Sequence, residues 1–205
     1  MKQIEVTTYV KDTLEDASGK LKSQGFTLIR RSRVEDKYMI QDLSRLNSDN
    51  ILEFLQRCVL IRHVDVKENR DGNVGEFKNF TYKKKEYDGD TVLSEEKVSV
   101  KIDNSADLSE AERLFTILNF QKLVEVNYDV EVYEKDGLEL CFQDVENLGL
   151  LLEYESLTDF DGATSLEILS AKKKMLEEIR KYQLDVSDEI DVKKAYELVK
   201  KRRGI

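Results

Sequence analysis

Proline is absent from all 205 residues, where average usage near 5% would place about ten. No proline interrupts a helix or strand, so glycine and Asx residues must mark the turns. Cysteine is nearly absent: Cys58 and Cys141 are too few for a disulfide framework. Both sit among apolar neighbours (Val59-Leu60-Ile61; Leu140 and Phe142) and read as small core residues. The single histidine, His63, falls opposite Arg62 along its strand and supports neither a metal cluster nor a triad. No stretch approaches the ~18 apolar residues of a membrane span, and Met1-Lys2-Gln3-Ile4-Glu5-Val6 has no apolar leader core. A cytoplasmic protein without a membrane partner is the expectation. Positive charge is in deficit: 33 Lys and Arg against 42 Asp and Glu leave a net −9. That argues against an electrostatically driven binder of nucleic-acid duplexes. A small anion can still be held where basic residues are concentrated. Walker-type loops, nucleophile elbows and zinc-ligand spacings are missing.

What is present is a regular alternation of strands and turns. Asp71-Gly72-Asn73, Asp88-Gly89-Asp90 and Asp136-Gly137 each separate segments rich in β-branched and aromatic residues, which predicts three hairpins. Strands are expected at about 2–11, 26–41, 58–68, 76–87, 91–102, 122–134, 137–145 and 149–156. Leu14, Ala17 and Leu21 recur at helical spacing after the first strand, with Gly25 as a stop. Leu108, Ala111, Leu114, Phe115 and Leu118 do the same after the fifth. The chain thus reads as β-α-β-β-β twice, and two such halves can pair into one closed eight-stranded antiparallel barrel of α+β class. Ser48 to Gln56 adds a short helix that sits outside the sheet or plugs one end. Leu166, Leu169, Met175, Leu176, Ile179 and Tyr182 mark one C-terminal helix; Val192, Ala195, Tyr196 and Val199 mark another. These either pack outside the sheet or pair two copies into a homodimer. One domain is expected over 1–205, with the barrel in 1–160 and the C-terminal helices in 161–205.

Charges recur on alternate strand residues, which share a face. Glu5 alternates with Ile4 and Val6, Arg62 with Ile61, Lys83 with Tyr82, and Glu153 and Glu155 with Leu152 and Tyr154. Solvent exposure is one reading. The other is a polar-lined interior, favoured because helices need an apolar outer sheet face to cover. In that interior Glu153 and Glu155, about 7 Å apart at i, i+2, would join Glu5 as hard oxygen ligands for Mg²⁺ or Mn²⁺. Arg62 and Lys83 would face phosphate oxygens. Arg30, Arg31 and Arg33 form a second basic cluster, expected on a solvated or outer face.

The ordered set of short motifs resembles the CYTH, or triphosphate tunnel metalloenzyme, superfamily. Its anchor is Phe142-Gln143-Asp144-Val145-Glu146-Asn147-Leu148-Gly149-Leu150-Leu151-Leu152-Glu153-Tyr154-Glu155, similar to L-D-x-V-x-x-L-G-x-F-x-E-x-E. Ile4-Glu5-Val6, Gly25-Phe26, Asp36-Lys37-Tyr38, Leu60-Ile61-Arg62 and Thr81-Tyr82-Lys83 match in order. The resemblance implies a tunnel in which Glu5, Glu153 and Glu155 hold Mg²⁺ or Mn²⁺, while Arg62 and Lys83 bind a triphosphate or nucleotide. It also marks departures: Gln3 and Thr7 replace the first Glu and the Lys of E-x-E-x-K, and Leu60 replaces an Arg. Tyr128 and Val130 replace a K-x-R pair, Gln143 replaces an Asp, and Lys97, Ser99 and Lys101 meet an acidic motif. Three functions follow: a metal-dependent triphosphatase or adenylyl cyclase-like enzyme, a catalytically degenerate phosphate-ligand binder, and a protein-interaction module.

Overall fold

The computed structural model describes residues 3–88, 91–103 and 107–204, and the side chains of 83–97 lie outside the described residues. Eight strands alternate with helices: β1 Glu5–Tyr9, α1 Leu14–Ser23, β2 Thr27–Gln41, α2 Ile51–Gln56, β3 Val59–Asn69, β4 Gly75–Asp88 and β5 Thr91–Ile102. There follow α3 Leu108–Ile117, β6 Phe120–Lys135, β7 Leu138–Val145, β8 Gly149–Glu155, α4 Ser165–Lys181 and α5 Lys194–Arg203. Asp136 and Gly137 turn β6 into β7 with φ of 52° and 82°, the doubly positive pair that a two-residue hairpin needs. At α4, Thr164 accepts from the Glu167 N–H while the Glu167 carboxylate accepts from the Thr164 N–H, a capping box.

All strand pairs are antiparallel, in the order β1-β8-β7-β6-β2-β3-β4-β5. The β2–β6 ladder joins the two halves at the centre, so the first strand of each half ends at an outer edge. The expected closed barrel is not formed by hydrogen bonds: β1 and β5 do not pair among the described residues. The reason lies in the chain after α4. Val192 N–H donates to Thr7 O at 2.9 Å, Ser187 N–H to Tyr9 O at 2.9 Å, and Thr7 N–H to Ile190 O at 3.2 Å. Residues 185–192 thus take up outer-edge backbone groups of Thr7 and Tyr9 in β1, where β5 would have to pair. The sheet nevertheless curls strongly. Glu5 and Thr7 of β1 line the same cavity as Phe77 and Asn79 of β4, and α4 lies beside both edge strands.

Alternation sorts the side chains onto two faces. The outer face buries Val6, Tyr133, Leu140, Phe142 and Leu152 against Ala17 and Leu21 of α1 and Ile168, Leu176 and Ile179 of α4. The inner face buries Val124, Val126, Val130, Val145 and Leu151 against Ile51 of α2 and Ala195, Leu198 and Val199 of α5. The C-terminal helices therefore divide. α4 packs outside as one expectation had it, while α5 enters the concave side and, with α2, closes part of it. No helix is long and apolar enough to cross a membrane among the described residues.

Candidate functional site: a charged cavity on the concave face

The uncovered part of the concave face encloses a cavity of about 670 Å³. Glu5, Arg62, Glu153 and Glu155 all line it, the first three half-buried and Glu155 exposed, so the strand alternation turns these charges to the concave face. Glu5 stands directly opposite Glu155 across β1 and β8, and Glu153 stands opposite both Thr7 and Cys141. Lys83 is in β4, in register with Lys97 of β5; both side chains lie outside the described residues. Thr81, two residues before Lys83, is buried on the cavity wall and bonds Ser99 at 2.8 Å. Lys101 is exposed and pairs in register with the cavity residue Asn79.

Arg62 is held by a partner that the sequence left unassigned. Its Nε donates to Asp36 Oδ1 and its Nη2 to Asp36 Oδ2, both at 2.6 Å, while Tyr128 Oη donates to Asp36 Oδ2 at 3.0 Å. The side chain of Asp36 is 1% exposed and that of Arg62 is 20% exposed. Burial works against the guanidinium charge, but Asp36 outweighs it and raises the Arg62 pKa. Burial, then Asp36, pushes the Tyr128 hydroxyl well above the ordinary range, so it remains a neutral donor. One edge of Arg62 is thus occupied before any ligand arrives.

At the other end Gln143 bridges two charged groups. Its Nε2 donates to Glu153 Oε2 at 2.9 Å, and its Oε1 accepts from Lys194 Nζ. The Lys194 ammonium lies 4.4 Å from the centre of the Tyr128 ring. Burial lowers the Lys194 pKa, with Glu153 and Asp36 acting the other way. Beside this network, Lys172 of α4 pairs with Asp191 at 2.5 Å, and the Lys172 side chain is 1% exposed. Cys141 on the same wall has its thiol pushed up to about 12, first by burial and then by Glu153, which leaves it protonated and unreactive.

The arginine cluster of β2 separates by face, which corrects its collective placement outside. Arg31 pairs with Glu131 at 2.8 Å and Arg33 with Asp129 at 3.0 Å. Arg30, by contrast, lines the cavity at its rim, because neighbouring strand residues point to opposite faces. His63 lies between Glu35 at 3.6 Å and Glu76 at 3.4 Å, away from the cavity lining. Asp36 was legible as part of a motif but not as the Arg62 partner. Lys172 and Lys194 carried no signal, since they sit on helices read only for their apolar faces.

The metal expected at Glu5, Glu153 and Glu155 can be tested against their geometry. Among the described residues no three His, Cys, Asp or Glu side chains are gathered to hold an ion, and Glu153 is engaged by Gln143. A ready three-carboxylate cage is therefore not built. The opposed pair Glu5 and Glu155 retains the chemistry of a Mg²⁺ or Mn²⁺ ion held by one or two carboxylates plus phosphate oxygens.

No protein-family profile matches the chain. A protein of Methanocaldococcus jannaschii, named as a candidate adenylate cyclase, is 29% identical over 196 residues, covering 94% of this chain and 96% of that protein. A solved Pyrococcus horikoshii protein superposes with a TM-score of 0.68 at 20% identity, covering 98% and 99% of the two chains. A Hippeastrum protein, described as a candidate adenylyl cyclase with dominant triphosphatase activity, superposes at 0.55 with 13% identity, covering 100% and 96%. The two superpositions establish the fold. The archaeal relative is similar along nearly the whole chain, and the ordered motifs on the cavity wall keep their resemblance to the CYTH, or triphosphate tunnel, superfamily.

Proposed function

We propose that the chain binds a triphosphate, free or as part of a nucleotide, in the concave cavity. One observation carries the reading: Arg62, Arg30 and Lys194 reach one enclosed space from β3, β2 and α5, although the chain as a whole is acidic. Concentrated cations with restricted water favour an anion far more than the net charge would suggest. A triphosphate brings about four negative charges, which need cations or a metal when desolvated. Glu5 and Glu155 are the residues that would hold Mg²⁺ or Mn²⁺ entering with the ligand. When bound, the ion would neutralise phosphate charge and polarise the phosphoryl group. The protein's own part is to orient the phosphates with Arg62 and Lys83 and to limit water with α2 and α5.

A second reading, turnover of the triphosphate, is favoured by the activity ascribed to the Hippeastrum protein and by the carboxylates Glu153 and Glu155 on the cavity wall. The binding reading is preferred because Asp36 and Gln143 already engage Arg62 and Lys194. The test presents ATP, thiamine triphosphate and inorganic triphosphate, each with Mg²⁺ and Mn²⁺, to the protein and to its Glu153→Ala and Lys83→Ala variants. Thermal stabilisation without phosphate or pyrophosphate release supports the binder. Release that both variants lose supports the enzyme. Neither response removes the triphosphate reading and leaves a protein-interaction module.

A further inference from the structure

A second cavity, of about 260 Å³, opens beside the first near the start of β2. A bulge shapes it. β2 pairs Leu28 with Tyr133 and Arg30 with Val132 of β6, so Ile29 is an extra residue. Such a residue bends its strand and re-aims the side chains around it. Ile29 and the buried Val132 form an apolar floor. The Arg70 N–H donates to Ile29 O at 2.9 Å, which ties the β3–β4 turn to the bulge. Arg30 lines both cavities and is their common border.

The rim of this recess is polar and little engaged. Arg31 and Arg33 are paired on the outer face. Arg30, Asp71 and Glu139, by contrast, make no side-chain hydrogen bond or ion pair among the described residues. Arg70 is engaged by Glu134 through Nη2. Exposed charges are ordinarily solvated and signify little singly. Placed around an apolar floor, they make the usual build of a small-ligand site. The volume lies below the ~300 Å³ at which pockets for whole ligands begin, so the recess suits one ring system rather than a nucleotide. Charge sets the direction of the ligand. Glu139 and Asp71 repel phosphate, which stays on the Arg62 side, and an uncharged end enters the recess.

We propose that the recess seats a nucleobase, and that the base is guanine. The ligand is then a guanosine triphosphate whose phosphates lie in the larger cavity, an inference that rests on the triphosphate reading above. A carboxylate only accepts, and its two oxygens match the adjacent N1–H and exocyclic N2–H₂ donors of guanine. An arginine fork only donates, and it matches guanine O6 and N7. Glu139 and Arg70 supply these two complements from opposite kinds of charge. Adenine offers the carboxylate one amine beside an acceptor, and it sets that amine against the arginine donors. Ile29 and Val132 take the face of the ring, while Arg30 reaches the phosphates from the border.

The experiment titrates GTP, ITP, ATP and inorganic triphosphate, each with Mg²⁺, by calorimetry into the unaltered protein and its Glu139→Ala and Ile29→Ala variants. ITP differs from GTP only in lacking the N2 amine. Loss of one charge-assisted hydrogen bond predicts that ITP binds about tenfold more weakly than GTP. ATP should bind no better than ITP, and inorganic triphosphate more weakly than GTP. Glu139→Ala should erase the difference between GTP and ITP, and Ile29→Ala should weaken GTP. Both variants should bind inorganic triphosphate at least as tightly as the unaltered protein, which also shows that they fold. Ile29→Val takes the place of Ile29→Ala if that control fails. Equal affinity for GTP and ITP, or for GTP and inorganic triphosphate, overturns the inference and leaves the triphosphate reading standing. An equal loss of GTP and inorganic triphosphate in Glu139→Ala overturns it too. No binding of any of the four by the unaltered protein removes both.

Discussion

Replacing Asp36 with asparagine would leave Arg62 against the inner wall without its counter-charge. The geometry sets the magnitude. Two guanidinium donors meet the two carboxylate oxygens at 2.6 Å, and Tyr128 adds a third bond at 3.0 Å. Unit charges 4 Å apart interact by about 4 kcal/mol at an effective dielectric of 20. Breaking a buried pair from one side costs about 3–5 kcal/mol, because the remaining charge stays desolvated. Arg62 keeps 20% of its side chain exposed, so water offsets part of this and the expected loss is about 3 kcal/mol. Urea unfolding monitored by circular dichroism would read it as a lower midpoint at unchanged slope. The double variant Asp36→Asn with Arg62→Met should be less destabilised than the sum of the singles, by about 1–3 kcal/mol. A loss below about 1 kcal/mol for Asp36→Asn, or strict additivity in the cycle, would refute the pairing as a buried, mutually dependent unit.

Other consequences are simpler to read. Cys141 should resist iodoacetamide at pH 8 in the native protein and react after unfolding, since its thiol is pushed up to about 12; rapid native labelling at that position, read by peptide mass, would contradict the raised pKa. Thr164→Ala removes the capping box of α4 and should cost about 1 kcal/mol in a thermal or urea melt, whereas an unchanged melt would show that the cap contributes nothing. Asp12 has a pH signature. Burial works against its charge, but the Lys20 ammonium and the Asp185 N–H outweigh it and hold its carboxyl below the ordinary range. A depressed folded pKa stabilises above the unfolded value near 4 and is lost as pH falls through the folded value. Asp12→Asn should therefore be less stable than the unaltered protein at pH 7, with the gap closing as the pH falls below the unfolded value near 4; a gap that persists in strong acid would contradict the sign.

Most of the sheet was legible because its turns are chemically explicit. Asp136-Gly137 needs positive φ at both residues, and the strands it separates carry β-branched and aromatic residues on one face. Period two put Glu153 and Glu155 on one strand face and Glu5 on one face of its own strand; that the face is the inner one was argued from the helices, which need an apolar sheet face to cover. Closure was misread because it depends on edge hydrogen bonds between backbones, which no side-chain pattern reports. Residues 185–192 look like a polar linker in sequence, yet their backbone takes the place a closing strand would need. The cluster Arg30, Arg31 and Arg33 was placed collectively, although adjacent residues cannot share a face, and Arg30 turns inward. The Arg62–Asp36 pairing was hidden because register across β2 and β3 is set by the whole ladder rather than by either motif. Lys194 was hidden for another reason. A helix read for its apolar stripe gives no hint that its first residue faces a cavity formed by remote strands.

The most direct measurement is the structure of the protein with inorganic triphosphate and Mg²⁺, by crystallography or by chemical-shift mapping. The account predicts the anion on the concave face, against Arg62 and Lys194, with any metal on the Glu5 and Glu155 side. Triphosphate bound instead at the outer cluster of Arg31 and Arg33, with the cavity side chains unperturbed, would contradict it.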